Sequence, residues 1–211
     1  MIKILLILLL FAGLLSQADP NLLQNGDFDG ENFLSDILIL QDSGKVKVFQ
    51  FTEDQTWNQC IRMEIISLKQ TGSRKQISTA LLFGKTGSSC GVQVQPNTWY
   101  RFRLDLKGNR GVSLWAVMYD SSTSQIWKGE SVRLTPPNAT PKPNSWTVFR
   151  GNFKTGPKTK FVSLKLVLWA DSQKMKKMPA VGDYIMVDNI RIVKNRPPAP
   201  TRSGSIGKDK K

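Results

Sequence analysis

The sequence predicts an all-β chain folded as a single antiparallel β-sandwich. Three observations lead there: strict alternation of apolar and polar residues dominates after residue 45, helix-period apolar faces are scarce beyond the N-terminal segment, and turn clusters interrupt the alternating runs at short intervals. The 211 residues suit one ordinary domain. Roughly eight or more short strands over that length hide their apolar sides most simply between two sheets.

The first element is no part of the sandwich. Met1-Ile2-Lys3, the apolar run Ile4 to Leu15 and the small residues of Ser16-Gln17-Ala18 form the charged, apolar and cleavable zones of a secretory signal peptide. A run of about a dozen apolar residues falls short of the roughly 20 that cross a bilayer. Residues 1–18 are therefore expected to be removed after Ala18. The mature chain would begin at Asp19, carry no membrane span and act outside the cytoplasm, secreted or periplasmic. Such a compartment permits disulfides, and the two cysteines, Cys60 and Cys90, allow a single pairing.

The strands follow in order. Val46, Val48, Phe49 and Phe51 stand in a polar background, and Ile61, Met63 and Ile65 alternate with Cys60, Arg62 and Glu64. Tyr100, Phe102, Leu104 and Leu106 alternate with Arg101, Arg103, Asp105 and Lys107; Val112, Leu114, Ala116 and Met118 alternate with Ser113, Trp115, Val117 and Tyr119. Val162, Leu164, Leu166 and Leu168 alternate with Ser163, Lys165, Val167 and Trp169, and a last strand runs from Tyr184 to Val193. Turns are expected at Lys107 to Gly111, Asp120 to Ser124, Pro136-Pro137-Asn138, Lys154 to Pro157 and Val181-Gly182-Asp183. The sandwich is thus expected over residues 19–194. Residues 195–211, rich in Pro, Ser, Gly and Lys without apolar periodicity, read as a disordered basic tail.

Composition narrows the chemistry. No histidine occurs, which removes Ser-His-Asp and Cys-His catalysis and every His-containing zinc site. Thirty Lys and Arg against 16 Asp and Glu give a net charge of +14, a balance that favours acidic partners. Asp105, Asp120 and Glu130 carry no glycosidase spacing. A lyase could use Tyr119 as base with Arg101 or Arg103 neutralising a uronate, but no motif demands it, and the expectation is a protein without catalytic activity. No RNA- or DNA-binding motif accompanies the charge, so nucleic acid is not the expected partner.

Four short motifs occur in order along the chain: Asn21-Leu22-Leu23-Gln24-Asn25-Gly26-Asp27-Phe28-Asp29, Val92 to Phe102 with Pro96-Asn97-Thr98-Trp99-Tyr100 at its centre, Ser145-Trp146 to Phe153, and Tyr184 to Ile192 with Asp188 inside it. Together they resemble carbohydrate-binding modules of families four, nine and twenty-two, which have the galactose-binding-like jelly-roll fold. The resemblance spans residues 21 to 193. It implies a jelly roll, a polysaccharide or glycan as ligand, and a structural calcium between the first and last strands, held by Asp29 and Asp188 with Asp27 nearby. Two carboxylates and backbone carbonyls are suitable hard ligands, although Asp27 and Asp29 could equally cap a turn. It also makes Trp146 a core residue.

The flat faces of aromatic side chains stack on sugar rings, with polar neighbours orienting the hydroxyls. Alternation puts Trp115 and Tyr119 opposite Leu114, Ala116 and Met118, Trp169 opposite Leu166 and Leu168, and Trp99, Arg101, Arg103 and Asp105 opposite Tyr100, Phe102 and Leu104. If these strands are neighbours, Trp99, Arg101, Arg103, Trp115, Tyr119 and Trp169 line one groove, aromatic and basic, in which the arginines could grip carboxylate or sulfate groups; otherwise the rings belong to the core. Trp57 and Trp127 fall near turns. Lys154, Lys158, Lys160, Lys165, Lys174, Lys176 and Lys177 add basic surface, suited to an anionic cell-surface or matrix polymer. Asn138-Ala139-Thr140 is a glycosylation sequon. The expected protein is a monomeric, secreted, non-catalytic carbohydrate-binding module. The alternative is an extracellular structural or adhesion protein that uses the same fold to bind a protein or an anionic surface.

Overall fold

Alternation becomes two stacked antiparallel sheets. The computed structural model describes residues 20–195, apart from 24–25, 30–32, 55, 85–90, 122–129, 137–138 and 175–177. The signal segment and all of the tail beyond Asn195 lie outside the described residues. After one turn of 3-10 helix, Phe33–Asp36, the strands are β1 (Ile37–Ser43), β2 (Lys45–Thr52), β3 (Gln59–Ser67), β4 (Lys69–Thr71), β5 (Arg74–Phe83), β6 (Val92–Gln93), β7 (Trp99–Gly108), β8 (Ser113–Tyr119), β9 (Glu130–Arg133), β10 (Thr147–Lys154), β11 (Phe161–Asp171) and β12 (Tyr184–Lys194). The first sheet has the order β1-β5-β11-β8-β9, with β4 beside β5 and β6 beside β11; the second has the order β10-β7-β12-β3-β2. This is the expected β-sandwich. No helix among the described residues is long and apolar enough to cross a membrane.

The core lies between the sheets. Ile77, Leu81, Leu114, Ala116, Leu164 and Leu166 face inward from the first sheet; Ile61, Met63, Leu104, Leu106, Ile185 and Ile192 meet them from the second, all buried. Each fully buried side chain of this size contributes about 1.5–3 kcal/mol, so the facing apolar rows are the dominant attraction between the sheets. Asp171, at the end of β11, is gripped by Arg74 through Nε at 3.2 Å and by the Gln173 amide at 3.0 Å, which ties the start of β5 to the end of β11. The Arg74 hydrogen bonds hold the Asp171 carboxyl far below the usual carboxylate range, against the opposing effect of desolvation.

One irregularity shapes the second sheet. Asp188 of β12 pairs with Asp105 of β7, but the next registered pair is Arg191 with Arg103: three steps on one strand match two on the other, a β-bulge. Asn189 sits in it with φ of 50°, a conformation that Asn tolerates better than most residues. The opening motif locks the bulge in place. Asn21 donates through Nδ2 to the Ile190 carbonyl at 3.1 Å and accepts from the Ile192 amide at 2.9 Å, while the Ile190 amide donates to the Gly26 carbonyl at 2.7 Å. A Cβ on Gly26 would stand 2.1 Å from the Ile190 oxygen, so only glycine allows this approach. Phe28, two residues on, is buried against Phe83 with ring centroids 6.2 Å apart.

Replacing Asn189 by Val should cost about 1–3 kcal/mol, because a β-branched residue is strained at positive φ. Asn189→Gly keeps the backbone conformation but, like Val, loses the Nδ2 hydrogen bonds to the buried Asp105 and Asp188, so it should be destabilised too yet less than Asn189→Val, which adds the backbone strain. Urea denaturation of both variants checks the pair.

Candidate functional site

With both inner faces buried, the two outer faces are the sheet surfaces left to present side chains to a ligand. On the first sheet the outer face is largely closed: Leu82, Ala80, Val117 and Tyr119 point outward yet are buried. Trp115 pairs across strands with Lys165 and Arg133, and the Arg133 guanidinium lies 4.5 Å over its ring. Trp169 is 38% exposed, with the Lys174 ammonium 5.7 Å from its ring centroid.

The outer face of the second sheet is open in part: Cys60, Asp105, Met186 and Asp188 point outward yet are buried, whereas Phe49, Arg62 and Lys107 are partly exposed and Arg101, Arg103, Arg150 and Arg191 are exposed. Strand pairing sets Phe49, Arg62, Met186 and Lys107 side by side across β2, β3, β12 and β7, each alternating with a core residue. At this end of the sheet a groove of about 540 Å³ is lined by residues including Phe51, Glu53, Arg62, Lys107, Trp146 and Tyr184. The Arg62 guanidinium packs over two rings, 4.3 Å from the Tyr184 centroid and 5.2 Å from that of Phe51, and pairs with Glu64 at 3.0 Å. Its Nε–H is buried without a partner, the sort of local cost that binding sites tolerate.

Glu53 organises the groove's rim. Its carboxylate accepts from Lys107 Nζ at 2.6 Å, Trp146 Nε1 at 3.1 Å and Thr56 Oγ1 at 3.3 Å. Partial burial pushes the Glu53 carboxyl up, but the hydrogen bonds from Lys107, Trp146 and Thr56 and the Lys107 charge outweigh it, so the group titrates below its ordinary value and is ionised at neutral pH. Its main chain closes the β2–β3 turn: the Trp57 amide donates to the Glu53 carbonyl at 2.8 Å, and the Glu53 amide to the Asn58 carbonyl at 3.0 Å. That turn places Trp57 at φ of 55° with 80% of its surface exposed.

Behind the rim lies a polar floor. Asp105 and Asp188 are both buried, and Asn189 Nδ2 donates to each at 3.2 Å. Asp188 also accepts from Asn58 Nδ2 at 2.9 Å and from the Asn189 amide at 2.6 Å. Burial, with the nearby charges of Asp105 and Asp29, raises the Asp188 carboxyl despite these donors. Cys60 is a free thiol, fully buried, with Sγ 3.5 Å from the Phe51 carbonyl. Burial first, then the charges of Asp188 and Glu53, push it up to about 12.

The expected site residues divide between two places. Trp99, Arg101 and Arg103 lie on the outer face of the second sheet, whereas Trp115, Tyr119 and Trp169 lie on that of the first. The single groove expected from all six does not form, because β7 and β8, successive in sequence, belong to different sheets. Tyr119 is 2% exposed and so offers no platform. Trp146 is not in the core; it lines the groove. Trp127, Asn138 and Cys90 lie outside the described residues; Cys60, the other half of the expected bridge, is a free, buried thiol rather than part of a disulfide. Of the residues that do meet, Arg62 and Lys107 carried a signal only as polar partners of alternating core positions, Phe51 counted among the apolar residues of its strand, Tyr184 marked the start of the last strand, and Glu53 carried no signal.

Around Asp29 and Asp188, where calcium is expected, the described groups are these. Asp27 and Asp29 are exposed, Asp188 is held by amide N–H groups, the Phe28 carbonyl accepts from Gln50 Nε2 at 2.8 Å, and no group of three or more metal-binding side chains occurs among the described residues. Calcium takes six to eight oxygens; residues 24–25 and 30–32, which flank Asp27 and Asp29, lie outside the described residues.

No family model matches the sequence, and no curated protein does. Solved structures do. A xylan-binding CBM22-1 domain of Paenibacillus barcinonensis Xyn10C superposes with a TM-score of 0.51 at 11% identity, covering 85% of this chain and 97% of that one. The chain shares the β-sandwich fold of that domain. The CBM22-1–GH10 modules of Clostridium thermocellum Xyn10B give 0.53 at 11% identity over 84% of this chain, and the enzymatically active domain of bacteriophage CBA120 tailspike protein 4 gives 0.52 at 10% over 83%. The chain spans 29% and 21% of those two proteins. The jelly roll expected from the four sequence motifs is thus the fold observed.

With its thiol at about 12, Cys60 should resist iodoacetamide at pH 8 in the native protein and react only after unfolding, since the thiolate is the nucleophile. Mass spectrometry of alkylated digests, with and without urea, reads this directly; rapid native labelling of Cys60 would contradict the buried placement.

Proposed function

We propose that the protein is a secreted, non-catalytic carbohydrate-binding module that holds a polysaccharide in the groove on the outer face of the second sheet. The observation that carries this reading is the lining of the groove: three aromatic rings, Phe51, Trp146 and Tyr184, beside the charged hydrogen-bonding groups of Glu53, Arg62 and Lys107. Rings supply apolar area for the C–H faces of sugars, and the polar groups choose among hydroxyls. Preorganisation favours the same reading. Glu53 fixes the Trp146 indole by its N–H and the Lys107 ammonium by its charge, so little side-chain freedom remains to be lost on binding.

Architecture adds support without naming the ligand. The fold is shared with a domain described as xylan-binding, and fold alone does not fix function.

Affinity electrophoresis of the chain from Asp19 in gels containing xylan, dextran or polygalacturonate tests the proposal. Trp146→Ala and Tyr184→Ala should each weaken the retarding interaction roughly tenfold or more, as loss of a central aromatic contact does. Trp146→Phe, which keeps a ring and drops only the N–H donor, should retain most of it. Retardation by none of the polymers, or retardation that folded alanine variants leave unchanged, would refute the groove.

A further inference from the structure

Beyond the groove, the same outer face carries an unusual row. Register places Arg150 of β10 opposite Arg103 of β7, and Arg103 opposite Arg191 of β12. Three guanidinium side chains thus stand in line across three adjacent strands, each about 4.8 Å from the next strand. Arg101 follows two residues along β7 on the same face, beside Asn152, and Lys154 lies opposite Trp99 at the strand's end. All four arginines are exposed. Like charges directly opposite each other destabilise a sheet, so the row works against the fold that holds it.

Only one of the four is neutralised. Asp105 accepts from Arg103 Nε at 3.1 Å and Nη2 at 3.0 Å, which aims Arg103 and leaves Nη1 uncommitted. No carboxylate lies within ion-pair distance of Arg101, Arg150 or Arg191 among the described residues. The groove differs, because Arg62 and Lys107 there are paired with Glu64 and Glu53. From Lys107 at the groove to Trp99 at the far end, β7 covers about 27 Å at 3.3–3.4 Å per residue. One continuous face therefore begins with rings and compensated charges and ends with uncompensated cations and a half-buried tryptophan.

We infer that the row Arg150–Arg103–Arg191, extended by Arg101, is a binding site for the oxyanion groups of an anionic polysaccharide whose chain continues from the groove. Guanidinium forks match sulfate and carboxylate groups in geometry. A row two strand spacings wide, continuous with a ring-lined groove, suits repeated anions on a sugar chain better than a single small anion. The inference rests on the carbohydrate-binding reading for its polymer, while the arginines have their own test.

Affinity electrophoresis in dextran, dextran sulfate and polygalacturonate gels, at low and moderate salt, separates the possibilities. Dextran sulfate offers sulfate alone and polygalacturonate carboxylate alone, so the two arms identify which oxyanion the row prefers. The double variant Arg150→Ser/Arg191→Ser should bind the preferred polyanion roughly tenfold or more weakly, since hydrogen bonds to charged groups are the strong ones. Lys69→Ser/Lys75→Ser, with the same loss of charge on the exposed edge of the other sheet, should change binding less than about twofold. The arginine variant should also melt no lower than wild type, because a repulsive row has been relieved. Equal weakening by both double variants would overturn the site in favour of net charge, and equal binding of duplex DNA would overturn its selectivity for a sugar polymer. Binding of neutral xylan with no affinity for either polyanion would overturn the row while leaving the groove intact. Polyanion binding that depends on Arg150 and Arg191 but ignores Trp146→Ala would uphold the row and refute the groove.

Discussion

The bulge in β12 is the constraint on which the exposed face of this protein depends. Through Asp188 the strand alternates regularly, with Ile185 and Val187 inward and Tyr184, Met186 and Asp188 outward. Strict continuation would turn Ile190 and Ile192 to solvent and Arg191 into the core. One extra residue, Asn189 at positive φ, restores the phase: Ile190 and Ile192 are buried, and Arg191 stands outside opposite Arg103. The Asn21 side chain and the Gly26 carbonyl satisfy the backbone groups that the bulge frees from the ladder. The opening motif is thus a structural clamp whose consequence is an outer surface, and its glycine is required by contact with the Ile190 carbonyl.

The two outer faces differ in how far they are covered. On the first sheet, outward residues such as Leu82 and Val117 are covered, and the Trp115 ring already carries the Arg133 guanidinium. On the second, the β2–β3 turn and the segment before β10 rise beside the sheet and leave a trough between them. Glu53 joins the two walls, from its own turn to Trp146 at the start of β10, and to Lys107 on the floor. Three donors converge on one carboxylate there, a preorganised arrangement that keeps its charge at neutral pH.

Alternation made the side of each residue legible but not its sheet. Trp99, Arg101 and Arg103 do face away from Tyr100 and Phe102, and Trp115 away from Leu114, as the period-two pattern requires. Sheet membership is decided by pairing between strands far apart in sequence: β7 joins β10 and β12, whereas β8 joins β9 and β11. Nothing local in either strand encodes that choice. The central strand β5 also escapes a period-two reading, because Ala80-Leu81-Leu82-Phe83 is buried on both faces and so shows no alternation. Trp146 resembles a core tryptophan in its motif, yet it precedes the first residue of β10 and turns to Glu53 instead. The four-motif resemblance succeeded for the fold because those motifs are largely the clamp and the paired strands, and was weaker for the site because the groove is built by a turn, Glu53 to Asn58, that lies outside them.

Charge along the open face is graded rather than uniform. In the groove each cation has a carboxylate, Arg62 with Glu64 and Lys107 with Glu53, so contacts there draw on ring area and directed hydrogen bonds, which salt screens little. At the far end Arg101, Arg150 and Arg191 are exposed and have no ion-pair partner among the described residues, and their attraction for an anion would act over about a Debye length, 8–10 Å in ordinary buffers. Under the proposed function the two ends would divide the work of capture: the arginine row would raise the rate of encounter with an anionic chain, and the ring-lined groove would govern how long one segment stays. A polymer long enough to touch both gains from their linkage, since binding at one end raises the effective concentration at the other. The bulge that turns Arg191 outward is what joins these ends into one surface.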